Sequence, residues 1–138
     1  MTTMTGHCLC GAVQFEADDV ETDHHACHCG MCRRWSGGGP FLTAAVRSVR
    51  FASQDWLGRY ASSDWAERGF CRACGTTLFY WLRPTDTFMV SVGAFADQSP
   101  FRLVREIFID HKPPGYAFSG DHPRVTEAEV FAEHGVAP

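Results

Sequence analysis

Apolar and polar residues alternate along much of the chain with the two-residue period of a β-strand. Near the start, Val13 and Phe15 alternate with Gln14 and Glu16, which predicts a strand with one buried face. Similar alternation or short apolar runs recur at residues 41–46, 77–82, 88–92 and 106–109. Because turn-forming residues separate these short segments, the sequence predicts a mostly β, antiparallel fold.

One short helix is predicted near the end of the chain. Thr126 and Glu129 have the three-residue spacing of a capping box, in which each side chain binds a free backbone N–H of the first helical turn. Gly135 follows His134 and is a typical residue for ending a helix. We expect this helix to cover an edge or a face of the sheet.

Length and composition predict a single domain spanning residues 1–138. The chain is 45% hydrophobic and 20% charged, which is typical of a globular protein and leaves enough apolar surface for one core. The clusters of Pro and Gly at 37–40 and 113–115 have the length of loops, and no repeat divides the chain. The formal net charge is −4 and no basic stripe is present, so a nucleic-acid partner is not expected.

The sequence also indicates a cellular compartment. No Lys or Arg precedes Arg33, and no apolar stretch approaches the ~20 residues that a membrane span needs, so we expect neither a targeting signal nor a membrane partner. The seven cysteines are an odd number, so disulfides cannot consume them all. These features predict a cytoplasmic protein with reduced thiols.

The cysteines occur in three tight groups, Cys8 and Cys10, then Cys27, Cys29 and Cys32, then Cys71 and Cys74. The C-x-x-C-G pattern of the last group is typical of a zinc knuckle, in which a tight turn brings two thiolates to one ion and the glycine takes a positive φ. Structural zinc binds four ligands, and Cys8 and Cys10 supply the second pair. We expect these two on one extended strand, with a bulge at Gly11.

The other three cysteines form a C-x-C-x-x-C pattern. Three ligands leave one coordination position open, which is the arrangement of a reactive zinc ion. Three thiolates make that ion a weak Lewis acid, so the site suits thiol exchange better than hydrolysis. If the strand continues through this segment, Cys27 and Cys29 share one of its faces and His28 points to the other.

Residues directly after this group are candidates for substrate binding. Arg33 and Arg34 carry forked donors suited to the carboxylates of an acidic thiol. Gly37 and Gly38 belong to a triple-glycine loop that would let a ligand approach the backbone. Ordinary surface charge and an ordinary turn are alternative interpretations of the same residues.

Three motifs together resemble a known family. They are G-x-C-x-C-G-x-V-x-F from Gly6, C-x-C-x-x-C-R-R-x-x-G from Cys27, and R-x-F-C-x-x-C-G-T-x-L from Arg68. With these motifs the chain resembles the glutathione-dependent formaldehyde-activating enzymes, also called the centromere-protein-V/GFA type. The resemblance implies an Mss4-like all-β fold and covers all seven cysteines.

The resemblance also implies a metal content and an activity. In that family, Cys8, Cys10, Cys71 and Cys74 match the ligands of a structural zinc ion, and Cys27, Cys29 and Cys32 match those of a catalytic zinc ion with an open position. The implied reaction condenses glutathione with formaldehyde to S-hydroxymethylglutathione, formally a carbon–sulfur lyase reaction in reverse. The expected partners are therefore a small thiol such as glutathione and a small aldehyde, and a homodimer is compatible with the resemblance.

Other interpretations of the same residues stay open. The chain is alternatively a zinc-stabilised binding module without catalysis, or a thiol redox protein that uses Cys27 and Cys32. The second cluster is alternatively a closed structural site completed by His24, His25 or His28. No general base is obvious, and His28, Asp64 and Glu67 are candidates by proximity in sequence alone.

Overall fold

The computed structural model describes residues 2–135, so the two ends of the predicted domain, residue 1 and residues 136–138, lie outside the described residues. The chain groups into two compact units. The first unit comprises Met1–Thr22 and Thr43–Phe101, and the second comprises Asp23–Leu42 and Arg102–Pro138.

The first unit is built from antiparallel strands. A three-stranded sheet has the order β1, β2, β5, formed by Met4–His7, Gln14–Asp18 and Ser48–Phe51. A second set of strands has the order β4, β9, β8, β7, β6, formed by Phe41–Val46, Thr87–Ser91, Thr77–Leu82, Ala66–Cys71 and Leu57–Ser63. Strand β4 belongs to this unit from Thr43 onward.

Aromatic side chains fill the core of the first unit. The ring of Phe15, a residue that is 4% exposed, lies with its centroid 5.6 Å from that of Phe95 and 6.3 Å from that of Phe51. The rings of Phe79 and Phe88 meet edge to face at 5.1 Å, a geometry that the aromatic quadrupole favours. Buried Val13 and Phe15 confirm the predicted alternation at the start of the chain.

The second unit contains a parallel strand pair and both α-helices. Strand β3 (Asp23–Cys27) runs parallel to β10 (Arg102–Ile107), and the helices are α1 (Gly30–Ser36) and α2 (Glu127–Glu133). The expected antiparallel pairing predominates, and the pair of β3 and β10 is a parallel exception to it. A hairpin forces antiparallel pairing only on strands joined by a short turn. The long stretch of chain between β3 and β10 imposes no such direction. Within residues 2–135, no helix is long and apolar enough to cross a membrane.

Most predicted elements are present, and some of their boundaries differ. The fold is mostly β, and α2 begins with the predicted capping box, in which the Glu129 N–H donates to Thr126 Oγ1 at 3.2 Å and the Thr126 N–H donates to Glu129 Oε1 at 3.0 Å. The strand predicted at 106–109 instead ends at Ile107. Phe108 has a φ of 55°, in the left-handed region that a strand cannot continue through.

Gly69 in β7 offers a test of the packing in the first unit. A Cβ atom at this position would lie 2.2 Å from the ring of Phe79, so Gly69→Ala should overpack the core. We expect a loss of about 1–3 kcal/mol in the free energy of unfolding, measured by urea denaturation.

Gly115→Ala is the matched control, because no atom beyond its chain neighbours lies within 4 Å of its added Cβ. It should leave stability unchanged or raise it slightly by restricting the unfolded chain. Equal stability of the two variants would contradict the packing described for Gly69.

Candidate metal centres

Two hairpin loops of the first unit bring four cysteine sulfurs together. Strand β1 ends at His7, and Cys8 and Cys10 lie in the loop before β2. The expectation of one continuous strand with a bulge at Gly11 is therefore wrong. The Cys8 N–H donates to the Val13 carbonyl at 3.0 Å and the Gly11 N–H donates to the Cys8 carbonyl at 3.2 Å, so a turn, not strand alternation, makes these two sulfurs converge.

The second loop, between β7 and β8, has the predicted knuckle conformation. Cys71 ends β7, and Gly75 has a φ of 80°, which is why glycine suits this position. The Gly75 N–H donates to the Cys71 carbonyl at 2.8 Å, and the Ala73 N–H points at the Cys71 sulfur at 3.3 Å. An N–H aimed at sulfur favours the thiolate form that a metal requires.

The four sulfurs of this first cluster fit a single ion. All four lie within 4.8 Å of one another. The sulfurs of Cys8 and Cys10 are 3.6 Å apart, and those of Cys10 and Cys71 are 3.9 Å apart. A tetrahedron with zinc–sulfur bonds of about 2.3 Å has edges of about 3.8 Å, so these separations match a zinc centre.

Thr76 contacts this cluster, and residue spacing alone did not single it out. Its side-chain oxygen accepts a hydrogen bond from the Leu9 N–H at 3.0 Å and lies 3.1 Å from the Cys74 sulfur. The Thr76 hydroxyl, followed by its backbone N–H, lowers the pKa of the Cys74 thiol to about 5. The available signal was the threonine that directly follows C-x-x-C-G.

The second cluster lies in the second unit, where β3 leads into α1. The sulfurs of Cys27, Cys29 and Cys32 all lie within 4.8 Å of one another. Strand β3 ends at Cys27, while Cys29 keeps an extended backbone and is the N-cap of α1, so it lies beyond the strand on which it was expected. Its sulfur accepts a hydrogen bond from the Cys32 N–H at 3.3 Å.

The three sulfurs of this second cluster lie so close together that their thiolates would repel one another. Hydrogen bonding to Cys29 and then to Cys32, with burial, raises the pKa of the Cys27 thiol well above its usual value. A divalent cation reverses this effect, because it stabilises the thiolates that otherwise repel one another. The donor set therefore fits a soft cation such as zinc.

His28 is not available as a fourth ligand. Its side chain is fully buried, its Nε2 lies 2.7 Å from Glu106 Oε1, and its Nδ1 lies 2.9 Å from the Tyr116 hydroxyl. Both ring nitrogens are therefore engaged. The cluster found within residues 2–135 comprises the three cysteines without a histidine nitrogen.

The four predicted substrate-binding residues lie in one short segment, residues 33–38, which contains the end of α1. Half-buried Arg33 donates from Nε to the His28 carbonyl at 2.9 Å, whereas Arg34 is exposed. Gly37 and Gly38 have φ values of 95° and 124°, and both N–H groups donate to the Arg33 carbonyl and end α1. This local role explains the glycines structurally, and their contact with a ligand stays a prediction.

The candidate general bases differ in their surroundings. Glu67 belongs to the first unit and forms an ion pair with Arg83 at 2.9 Å, and Asp64 is exposed in the turn between β6 and β7. Of the three candidates, only His28 lies in the unit that contains the three-cysteine cluster. Sequence reasoning missed Tyr116 and Glu106 as its partners, because they are 88 and 78 positions away along the chain.

Comparisons with known proteins agree with this arrangement. Residues 3–111 match the family model described as glutathione-dependent formaldehyde-activating enzyme. A protein of Schizosaccharomyces pombe named as an uncharacterized lyase is 31% identical over 133 residues, which are 95% of this chain and 96% of the yeast protein. A crystal structure of a Rhodobacter sphaeroides protein, 24% identical, covers 88% of this chain and 99% of its own with a TM-score of 0.58, and so shows a similar fold. The family match spans most of the chain, and the chain therefore belongs to the glutathione-dependent formaldehyde-activating enzyme family.

Proposed function

We propose that the protein is a zinc-dependent enzyme of the carbon–sulfur lyase type that handles an adduct of a small thiol and a small aldehyde. The observation that carries this proposal is a three-cysteine cluster whose neighbouring histidine is engaged elsewhere. Family membership and the lyase name of the yeast relative support the same reaction type. Glutathione and formaldehyde are the proposed pair.

The proposal assigns two zinc ions to each chain. Cys8, Cys10, Cys71 and Cys74 would hold a structural ion with all four positions filled, and Cys27, Cys29 and Cys32 would hold a second ion with one open position. The sulfur separations of the first cluster and the donor set of the second support this assignment. Reduced thiols at both clusters suit a cytoplasmic location.

In the proposed reaction, the residues of the second unit would have separate roles. Cys27, Cys29 and Cys32 would hold the zinc ion, which would stabilise an entering thiol as its thiolate. Arg33 and Arg34 bind the carboxylates of the thiol compound, and the loop at Gly37 and Gly38 leaves space beside them. The thiol proton leaves to solvent, and the sulfur forms a bond to the aldehyde carbon. The carbonyl oxygen takes up a proton, so the product is the hemithioacetal and contains every atom of the thiol and the aldehyde.

Exchange spectroscopy tests the proposed reaction directly. We expect the zinc-loaded protein to accelerate the exchange of ¹³C-formaldehyde between its hydrate and S-hydroxymethylglutathione, measured by NMR against buffer alone. Because the uncatalysed addition is fast, the comparison is made at several protein concentrations. If the exchange rate does not rise with protein concentration while glutathione still binds, the protein is a binding or carrier module and not an enzyme.

Substitutions at the two clusters should have different consequences. Cys29→Ser is expected to remove one zinc ion and leave the circular dichroism spectrum nearly intact, because serine preserves the N-cap of α1. Cys74→Ser is expected to abolish folding, because zinc binding at such sites contributes on the order of 10–16 kcal/mol, as much as a whole domain's net stability. Zinc analysis and circular dichroism measure both effects, and equal damage would mean that both sites are structural.

Arg34 tests the carboxylate contact without disturbing the fold. Its side chain is exposed, so Arg34→Gln should weaken glutathione binding by about 1 kcal/mol, or roughly fivefold, with no change in unfolding temperature. The measurement is titration of the charge-transfer bands of the cobalt-substituted protein.

Arg47→Gln is the control, since Arg47 is an exposed arginine of the first unit that pairs with Asp19. Its affinity for glutathione should equal that of the unchanged protein. Equal affinity of the Arg34 variant would remove Arg34 from the proposed binding site.

A further inference from the structure

A buried carboxylate lies at the centre of a polar network beside the three-cysteine cluster. Glu106 is 1% exposed, and three side-chain nitrogen atoms lie within hydrogen-bond distance of its carboxylate oxygens. His28 Nε2 lies 2.7 Å from Oε1, and both His122 Nε2 at 2.5 Å and Arg124 Nε at 2.9 Å contact Oε2. Burial opposes ionisation of Glu106, but the hydrogen bonds from His122 and His28 and the charge of Arg124 hold its pKa below the usual value.

This ionised carboxylate determines how His28 is held. An ionised carboxylate only accepts hydrogen bonds, so His28 Nε2 carries the hydrogen between the two groups. On the other side of the ring, Nδ1 meets the Tyr116 hydroxyl at 2.9 Å, and the two rings stack with an interplanar angle of 28°. The orientation of the imidazole is therefore determined from both sides.

The backbone of His28 is fixed as well. Its N–H donates to the Ile107 carbonyl of β10 at 3.1 Å, and its carbonyl accepts from Arg33 Nε at 2.9 Å. Every polar group of this residue thus has a partner. Because Cys27 and Cys29 are its two neighbours in the chain, a fixed His28 restricts the paths by which their sulfurs reach a common point.

We propose that Glu106 is a positioning residue for the three-cysteine cluster, acting through His28 to hold the sulfurs in the geometry that binds metal. The inference rests on the proposed function in requiring that the cluster binds zinc. Groups that orient ligands without touching the metal commonly change metal affinity by 10- to 100-fold. Tyr116, His122 and Arg124, which all come from the segment after β10, would then support metal binding without being ligands.

The test is Glu106→Gln in the full-length protein. Glutamine keeps the size of the side chain, but its amide nitrogen is a donor and would face at least one of the three donors that now point at the carboxylate. We expect zinc affinity at the second cluster to fall by roughly 10- to 100-fold, while the first cluster keeps its affinity. Competition with a chromophoric chelator, analysed for two sites, measures both affinities in one sample.

Glu133→Gln is the matched control. Glu133 is in the same unit, on α2, where its half-exposed carboxylate pairs with Arg105, and both zinc affinities should stay unchanged. Equal weakening of both clusters by Glu106→Gln would indicate general destabilisation and overturn the inference. Unchanged affinity at the second cluster would overturn it as well.

Two further measurements keep the outcomes separate. If the unchanged protein binds a single zinc ion, the proposed function fails and the inference fails with it, whereas two ions bound with unchanged affinities in both proteins would overturn the inference alone. If Glu106→Gln does not fold, Tyr116→Phe decides, because it removes only the hydroxyl partner of His28. A selective, smaller loss of affinity at the second cluster is expected, and no loss would overturn the inference.

Discussion

Mutual repulsion among neighbouring thiolates is the constraint on which both cysteine clusters depend. Sulfurs held within 4.8 Å of one another cannot all ionise unless a cation neutralises them. In the first cluster, backbone N–H groups and the Thr76 hydroxyl already favour thiolates. In the second cluster the sulfurs raise the pKa of Cys27. Although hydrogen bonding to the Ala12 backbone opposes the shift, burial and the neighbouring sulfurs raise the pKa of Cys10 in the first cluster as well, to about 11. A bound cation would therefore stabilise thiolates in both clusters.

The two clusters are built by different local structures. The first joins two hairpin loops, and its ligands come from positions 61 residues apart, so an ion there would close a long loop and stabilise the fold of its unit. The second joins the end of a strand to the N-cap of a short helix within six residues of chain. Such a local site closes no long loop, which suits an ion whose role is chemical.

Motifs predicted the two cysteine groups correctly, because a candidate metal site is recognisable from residue type and short spacing. The grouping of the seven cysteines into four and three is found in the structure, and the capping box of α2 is also present. The path of the chain around Cys8 and Cys10 was not predicted correctly. A strand and a hairpin loop can both place residues two apart on one side, and only the pairing of β1 with β2 decides between them.

The sequence by itself determined the strand-rich fold, the C-terminal helix and the two groups of cysteines whose sulfurs converge, because each follows from local periodicity or close spacing. Only the tertiary structure decided the parallel pairing of β3 with β10 and the burial of Glu106 against His28. Those contacts join residues nearly eighty positions apart, and nothing in the local sequence specifies which distant residues the folded chain will bring together. The environment of the candidate reactive site is therefore a property of the folded chain, whereas its three cysteines can be recognised from the sequence.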